Sequence, residues 1–491
     1  MKIDSRILWL LLALILFVFG NSWEPGVGVD TATYGAVARD ILTHGNWFRP
    51  KLAAQIFDPF VEHPYLVIWL QAISLKVWGP TALGINFTSS VLGIAGVIAF
   101  FAAIRRLIDE NTAVLSVIAL LTINVFMNFM SSGWLDMPMV AFVLIAFYFS
   151  TRISEEDGFL FVLLTGLFLS FAVLTKGVAA LGIFPVMVFA GAQCKWKAKP
   201  LTIFSLGFFL PLIAFTWAHY QSEGFLFWRK YYISQFVFHN GEDAKTDAVG
   251  WSWYIRDALT HAHMVALLFI PGIVYLWKKG HRWIAVTAAL EILIHVGAYA
   301  FSERHNRQYL LPIFPWLALG AGFLISVFWK INSERWSQGL FYLALTYFVA
   351  VSVLPVTVHT MSGAEIYDLL PVVRNSPIQD IYFEVTEVER QRGNMTSPYI
   401  AWYLQRNPVT FTASELPFIS ARLKDTEAIL LARGSSYDSY LKNQDTVCGW
   451  NDAWILISTR ENCATLDRKR TSANGYWRTK AAKPNSKVAG P

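Results

Sequence analysis

Apolar stretches, each near the roughly 17–25 residues that cross a bilayer as a helix, follow one another along the first 360 positions, separated by short polar loops. They fall at 6–22, 82–104, 112–130, 135–151, 159–175, 177–193, 201–219, 263–277, 283–301, 309–329 and 338–358. This periodicity predicts an α-helical polytopic membrane protein with about eleven transmembrane helices. The stretch 65–78 is apolar too, but it is short and bounded by Pro64 and by Gly79-Pro80. It predicts a helix lying in the membrane interface rather than a span. Beyond about 363 the pattern changes. Short β-rich runs at 380–385, 408–413, 428–432 and 454–458 alternate with helix-like segments such as 397–405, which predicts a small C-terminal α/β domain. The tail 467–491 is basic and poor in apolar residues, and reads as disordered. The expected division is therefore 1–362, 363–466 and 467–491.

Charge sets the topology. With eleven spans and the N-terminus inside, Arg105-Arg106, Arg152, Lys195, Lys197, Lys199, Lys278, Lys279, Arg282, Lys330 and Arg335 share the cytoplasmic side. Counting 65–78 as a span would move most of these clusters outside, so the positive-inside rule supports the interfacial reading. The C-terminal domain is then extracytoplasmic. Lys2 and Arg6 before Ile7–Gly20 have the look of a signal peptide, but no small-residue cleavage site follows, so the segment reads as an uncleaved first span. The chain is 55% hydrophobic and 15% charged, against about 25% charged for a soluble protein. The net charge of +6 is accounted for by the inside loops, and no nucleic-acid-binding module is present. Of three cysteines, Cys194 ends a span on the cytoplasmic side, whereas Cys448 and Cys463 lie in the outer domain and are a disulfide candidate.

The chemistry-bearing residues gather on the predicted outer face. Loop 21–64 carries Asp30, Tyr34, Arg39, Glu62, His63 and Pro64. Asp30 opens a helix-like stretch closed by Gly45, so helix capping and acid chemistry both fit it. Glu62-His63-Pro64 precedes the interfacial helix, where Pro64 suits the first turn and Glu62 complements the helix dipole. Asp136, two residues before Pro138, reads by itself as a helix start. Against these acids stand outward cations that break the charge bias: Lys176, Arg304 and Arg307. Snorkelling anchors explain such residues in general, whereas guanidinium forks and ammonium groups also bind phosphate oxygens. Acids and phosphate-binding cations at one membrane face suggest group transfer from a lipid phosphate. The aromatics of loop 220–262 read as a headgroup-level belt. His239, Asp257, His261 and His263 follow no strong zinc spacing. No Walker or dinucleotide motif is present, so a soluble nucleotide donor has no support. No cofactor is assigned, and a divalent metal is left open. Glu291, inside a span, is a buried charge that faces either a helix interface or a cavity.

Several short motifs, in order, resemble the polyprenyl-phosphate-dependent GT-C glycosyltransferases, the family of protein O-mannosyltransferases and the bacterial lipid A aminoarabinose transferase. They are Asp30-x-x-x-Tyr34, Gly45-x-Trp47-x-x-Pro50, Phe57 to Glu62-His63-Pro64-x-Leu66-x-x-Trp69-Leu70, Asp136, Leu174-Thr175-Lys176-Gly177 and Arg307-x-Tyr309-Leu310-Leu311-Pro312. The resemblance runs from about 24 to 315 and implies a GT-C membrane fold. It implies that Asp30 is the acid nearest the reaction, that Glu62 lines the same cavity, and that Asp136 supports it. His63, Lys176, Arg304 and Arg307 would then contact the donor phosphate, with Tyr34 and Tyr309 binding substrate. Many members have Lys-Pro-Pro after the Glu, where this chain has His63-Pro64-Tyr65, and a histidine is only partly charged near neutral pH. The implied donor is a polyprenyl-phosphate sugar and the acceptor a lipid, protein or envelope glycan. A lipid or solute transporter is the rival of another class, but no internal repeat supports it. A surface-glycan polymerase or ligase is the rival of similar chemistry.

Overall fold

The computed structural model describes residues 5–22, 27–53, 56–154, 158–233, 235, 252–300, 307–328, 364–367, 369–374, 376–386, 396–432, 447–450 and 454–460. The chain forms two compact units: Met1–Glu24 with Val61–Val358, and Pro25–Phe60 with His359–Pro491. The loop 25–60 therefore folds with the C-terminal region, unlike the single cut at 362 that the hydropathy pattern suggests.

The first unit is helical. Its elements are α1 (Ser5–Ser22), α3 (Leu66–Trp78), α4 (Ala82–Leu107), α5 (Glu110–Leu121), α6 (Asn124–Met130), α7 (Asp136–Ser150), α8 (Gly158–Lys176), α9 (Ile183–Gln193), α10 (Ala198–Glu223), α11 (Leu226–Tyr232), α12 (Ser252–Lys278), α13 (Arg282–Ala300) and α14 (Phe314–Phe328). Among the described residues six helices are long and apolar enough to cross a membrane, or seven if α5 and α6 count as one broken span. At 13 residues, α3 reaches only about 20 Å, short of the roughly 30 Å hydrocarbon core. That length suits the interfacial reading.

Several expected spans differ in detail. The stretch 112–130 is bent by 83° between α5 and α6, where Thr122 and Ile123 leave the helix. The stretch 177–193 begins as a 3-10 turn, Gly177–Ala179, so α9 keeps only 11 residues. Much of the expected loop 220–262 is helical at its two ends, in α10, α11 and α12. The α12 helix breaks at His263, whose φ of 44° lies outside the helical region. The span at 338–358 lies outside the described residues.

Helices in this unit meet through small residues, as they do where apolar burial gives little drive to associate. A Cβ on Gly96 of α4 would stand 2.8 Å from Cα of Ala141 on α7. One on Gly272 of α12 would stand 2.0 Å from the carbonyl oxygen of Gly320 on α14. These backbones touch, and any side chain would part them.

The second unit is built on a five-stranded sheet of order β2-β1-β3-β5-β4. The strands are β1 (Asp380–Glu384), β2 (Asn407–Phe411), β3 (Glu427–Ala432), β4 (Val447–Trp450) and β5 (Trp454–Ile457). β1 runs parallel to both β2 and β3, while β5 is antiparallel to β3 and to β4. β1, β2, β3 and β5 match the β-rich runs of the sequence. β4 is short and follows a polar stretch, and the hydropathy pattern does not reveal it. Both faces of β3 are buried: Ile429 and Leu431 join Phe411, Val447, Ile455 and Ile457 in one cluster, while Ala428 and Leu430 are buried as well. Such two-sided burial gives a continuous apolar run rather than an alternating one. Cys448 in β4 is disulfide-bonded and Cys194 is free. The expected partner, Cys463, lies outside the described residues.

The loop after the first expected span adds α2 (Val29–His44) to this unit. It packs on a helical segment that runs as Thr396–Tyr399 and then as a wider π turn, Ile400–Leu404. The contact is close because residue 35 is glycine: its Cβ would stand 2.6 Å from the Trp402 ring. The Val27 N–H donates to the Tyr403 hydroxyl at 2.8 Å, and Tyr34 stands edge-on to Phe60.

Candidate active site

In the first unit the structure brings Asp136 and Lys176 together. Asp136 opens α7 and Lys176 closes α8, and the two form an ion pair. Both are buried, with 1% and 5% of their surface exposed. The N-cap of α7 is Leu135 and no side chain caps that end, so Asp136 pairs with a cation instead of capping the helix. The turn before it is pinned on two sides. Gln71 Nε2 donates to the Gly133 carbonyl at 2.8 Å, and the Ser89 hydroxyl donates to the Trp134 carbonyl at 3.0 Å.

Lys176 is held from the other direction. The chain turns at Gly177, with φ of +59°, a backbone region that favours glycine. A Cβ there would overlap the Tyr231 hydroxyl. That hydroxyl accepts the Val178 N–H at 2.9 Å, and burial pushes its pKa up to about 12, so it stays protonated. Tyr231 belongs to the aromatic stretch that the sequence presents as a membrane belt, and nothing in its local sequence marks the contact.

Glu62 and His63 are half-buried and precede α3. The Glu62 carbonyl accepts from Gln235 Nε2 at 2.8 Å. Pro64 falls before the N-cap, Tyr65, and not in the first turn of α3 as the sequence suggests. Tyr65 is fully buried against Trp69, Phe215, His219 and Phe227, which anchors the start of α3 to α10 and α11. Tyr309 lies in the 3-10 segment Arg307–Ile313 and stacks on Tyr299 of α13, with ring centroids 4.3 Å apart and planes 4° from parallel. The backbone of Arg307 begins that segment, and Arg304 lies outside the described residues. Glu291 is fully buried at a helix interface, its carboxylate facing Gly182 at the N-terminus of α9, with His295 one turn along α13.

In the second unit Asp30 and Tyr34 stand one turn apart on α2. Asp30 is not the N-cap: Gly28 is, and Asp30 sits in the first turn, half-buried. Gly45 closes the helix as expected, in the left-handed conformation, its N–H donating to the Ile41 carbonyl at 2.9 Å. Asp40, further along α2, ties down the loop after it. It accepts the Lys51 N–H at 3.1 Å and bonds His44 Nδ1 at 2.8 Å. Among the described residues no group of three or more His, Cys, Asp and Glu side chains comes together as a metal site, and His261 pairs with Asp257 on α12.

A family profile described as dolichyl-phosphate-mannose-protein mannosyltransferase matches residues 62–219. The chain is 26% identical over 337 residues to an undecaprenyl phosphate-alpha-4-amino-4-deoxy-L-arabinose arabinosyl transferase of Enterobacter sp. (strain 638), covering 63% of this chain and 56% of that one. A Pseudomonas fluorescens protein of the same description is 23% identical, covering 73% and 65%. The chain thus spans less than two thirds of the length of these curated relatives. Among solved structures, ArnT from Cupriavidus metallidurans bound to undecaprenyl phosphate superimposes with a TM-score of 0.66, at 13% identity, over 94% of this chain and 99% of that one. The Archaeoglobus fulgidus oligosaccharyltransferase superimposes with a TM-score of 0.54, at 12% identity, over 87% of this chain and 69% of that one. The fold is GT-C. The segment matched by the family profile carries Glu62, His63, Asp136 and Lys176, so the buried ion pair lies inside it. Asp30, Tyr34, Arg307 and Tyr309 lie outside it.

Proposed function

We propose that this protein is an inner-membrane glycosyltransferase that moves a sugar from a polyprenyl-phosphate donor to an acceptor at the outer membrane face. The observation that carries the reading is the buried Asp136–Lys176 pair within the mannosyltransferase-like segment. A cation and an acid drawn into the interior at the meeting ends of two helices are costly to keep, and such residues are retained where they do chemistry. The curated relatives named for transfer from undecaprenyl phosphate, and the GT-C fold, support the donor class. A pentosyl sugar, as in those relatives' names, is the first donor to test.

In this proposal Asp30 is the general base. It takes the proton of the acceptor nucleophile as the acceptor atom bonds to the anomeric carbon. The bond from that carbon to the phosphate oxygen breaks, and its electron pair leaves on the polyprenyl phosphate. The configuration at the anomeric carbon inverts, with no glycosyl-enzyme intermediate. Lys176, His63, Arg304 and Arg307 answer the charge growing on the leaving phosphate. Asp136 holds the Lys176 ammonium in position, Glu62 lines the cavity, and Tyr34 and Tyr309 contact substrate. The topology that suits this chemistry puts the N-terminus in the cytoplasm and the C-terminal domain outside.

The test is mass spectrometry of envelope lipids, proteins and glycans from cells with and without the gene. The expected result is the loss of one sugar mass from one acceptor class, restored by the wild-type chain and not by Asp30→Asn. An envelope unchanged under conditions where the protein is made would refute the proposal.

A further inference from the structure

Two chain segments of the first unit carry candidate phosphate contacts, Glu62-His63 before α3 and Lys176 at the end of α8, and α11 with the residues after it touches both. Gln235 Nε2 donates to the Glu62 carbonyl at 2.8 Å. Phe227 of α11 stands edge-on to Tyr65, with ring centroids 5.3 Å apart. Tyr65 follows His63 by two residues, and the fixed φ of Pro64 between them makes that link stiff. One turn further along α11, Tyr231 stacks on Phe227 at 5.9 Å. Its hydroxyl accepts the Val178 N–H at 2.9 Å, two residues past Lys176.

A helix of seven residues, about 10 Å long, has no stability of its own and must be fixed by its neighbours. His219 does this from the last turns of α10, before Gly224 turns the chain into α11 with φ of +63°. The imidazole lies 4.6 Å from the Phe227 ring with the planes 29° apart, 4.4 Å from Phe215 and 5.2 Å from Tyr65. Tyr65, His219 and Phe227 are fully buried. Close-packed rings of this kind transmit displacement instead of absorbing it, so a shift of Phe227 is felt at Tyr65 and at Tyr231 together.

We infer that α11 is a brace that holds the Glu62-His63 segment and Lys176 at a fixed spacing, with His219, Phe227 and Gln235 as positioning residues for the donor phosphate. None of the three touches the donor. They act by fixing, before binding, two groups that answer one phosphate, which removes ordering cost from the binding step. The inference rests on the donor reading proposed above.

The test measures the affinity of the full-length protein in detergent for undecaprenyl phosphate, by thermophoresis, alongside thermal unfolding. His219→Ala and Phe227→Leu should each weaken binding by about tenfold, the equivalent of one charge-assisted hydrogen bond to the phosphate. Gln235→Leu removes the bond to the Glu62 carbonyl at a half-buried position, leaves the rings in place and should weaken binding in the same direction. His219→Phe keeps a ring between Phe215 and Phe227 and should restore binding to within about twofold of wild type. Phe189→Leu, in the buried contact of α9 with Phe147, should lower stability and leave binding unchanged. Wild-type affinity in His219→Ala, Phe227→Leu and Gln235→Leu, or an equal loss in Phe189→Leu, overturns the brace and leaves the donor reading standing. Absence of binding by the wild-type chain overturns the donor reading and the brace with it.

Discussion

Asp136 and Asp30 begin from the same local grammar, an aspartate in the first turn of a helix, and neither caps it. Asp136 is buried at 1% exposure and paired with Lys176 between two helices of the first unit. Asp30 is half-buried on α2, a helix laid against the C-terminal region of the second unit. The difference lies in what surrounds each helix start. In an apolar helical interior a carboxylate is stable only beside a cation, so Asp136 is bound up in structure. At the partly exposed start of α2 a carboxylate keeps part of its contact with solvent, so its charge costs less to hold there. In the proposed reaction the first kind of acid positions and the second kind reacts.

The largest expected effects test that contrast directly. Asp30→Asn should lower transfer by about 10²–10⁴-fold, the range for a lost general base, with melting temperature nearly unchanged. The measurement is single-turnover transfer by purified protein alongside its thermal unfolding in detergent. Lys176→Met, by contrast, should lower stability, costing about 3–5 kcal/mol because it strands a buried carboxylate. The double variant Asp136→Leu/Lys176→Met should recover most of that loss, since two apolar side chains replace a pair that was costly to bury. Equilibrium unfolding of the three proteins checks this. If Asp30→Asn collapsed the fold while Lys176→Met left it intact, the two acids would have exchanged roles.

The legible parts of the sequence were those where residue chemistry repeats with a period. Apolar runs mark α4, α8, α10 and α13, and the shortness of 65–78 matches the 13 residues of α3. Continuous apolar runs mark β3 and β5, where both faces are covered, whereas β1 alternates, with Ile381 and Phe383 buried between half-buried neighbours. Gly45 announces the end of α2 through its left-handed backbone. Contacts between distant segments left no such trace. The break between α5 and α6 falls inside a single expected span, 112–130, where Thr122 and Asn124 interrupt the apolar residues around the bend. The packing of Gly35 on Trp402 joins positions far apart in sequence, so the assignment of loop 25–60 to the C-terminal region could not be read locally. Among the candidate site residues, the types were legible and the pairing was not. Lys176 stood out because it violates the charge bias, but nothing near it in sequence names Asp136 as its partner.

A smaller effect asks how firmly the buried pair is held. Gly177→Ala places a methyl group on the Tyr231 hydroxyl and forces a left-handed backbone on alanine. It should cost about 1–3 kcal/mol through strain and overpacking. Because the displaced residue follows Lys176 directly, transfer should fall as well, whereas the corresponding change Gly45→Ala, at a site with open space around it, should cost only its backbone strain. Unfolding and transfer measured on both variants separate the two.

Tyr231→Phe isolates the last component of that clamp. The ring stays in place, stacked on Phe227, and only the hydroxyl that accepts the Val178 N–H is removed. A buried donor left without an acceptor would cost about 1–3 kcal/mol. Val178 itself is 45% exposed, however, so water at headgroup depth can replace the hydroxyl, and the loss should be about 1 kcal/mol. Combined with Gly177→Ala the two costs should not add, because the methyl group has already displaced the hydroxyl from Val178. A double-mutant cycle by chemical unfolding reads that coupling. Strict additivity would mean that Tyr231 does not hold the turn, and that Lys176 is placed by Asp136 alone.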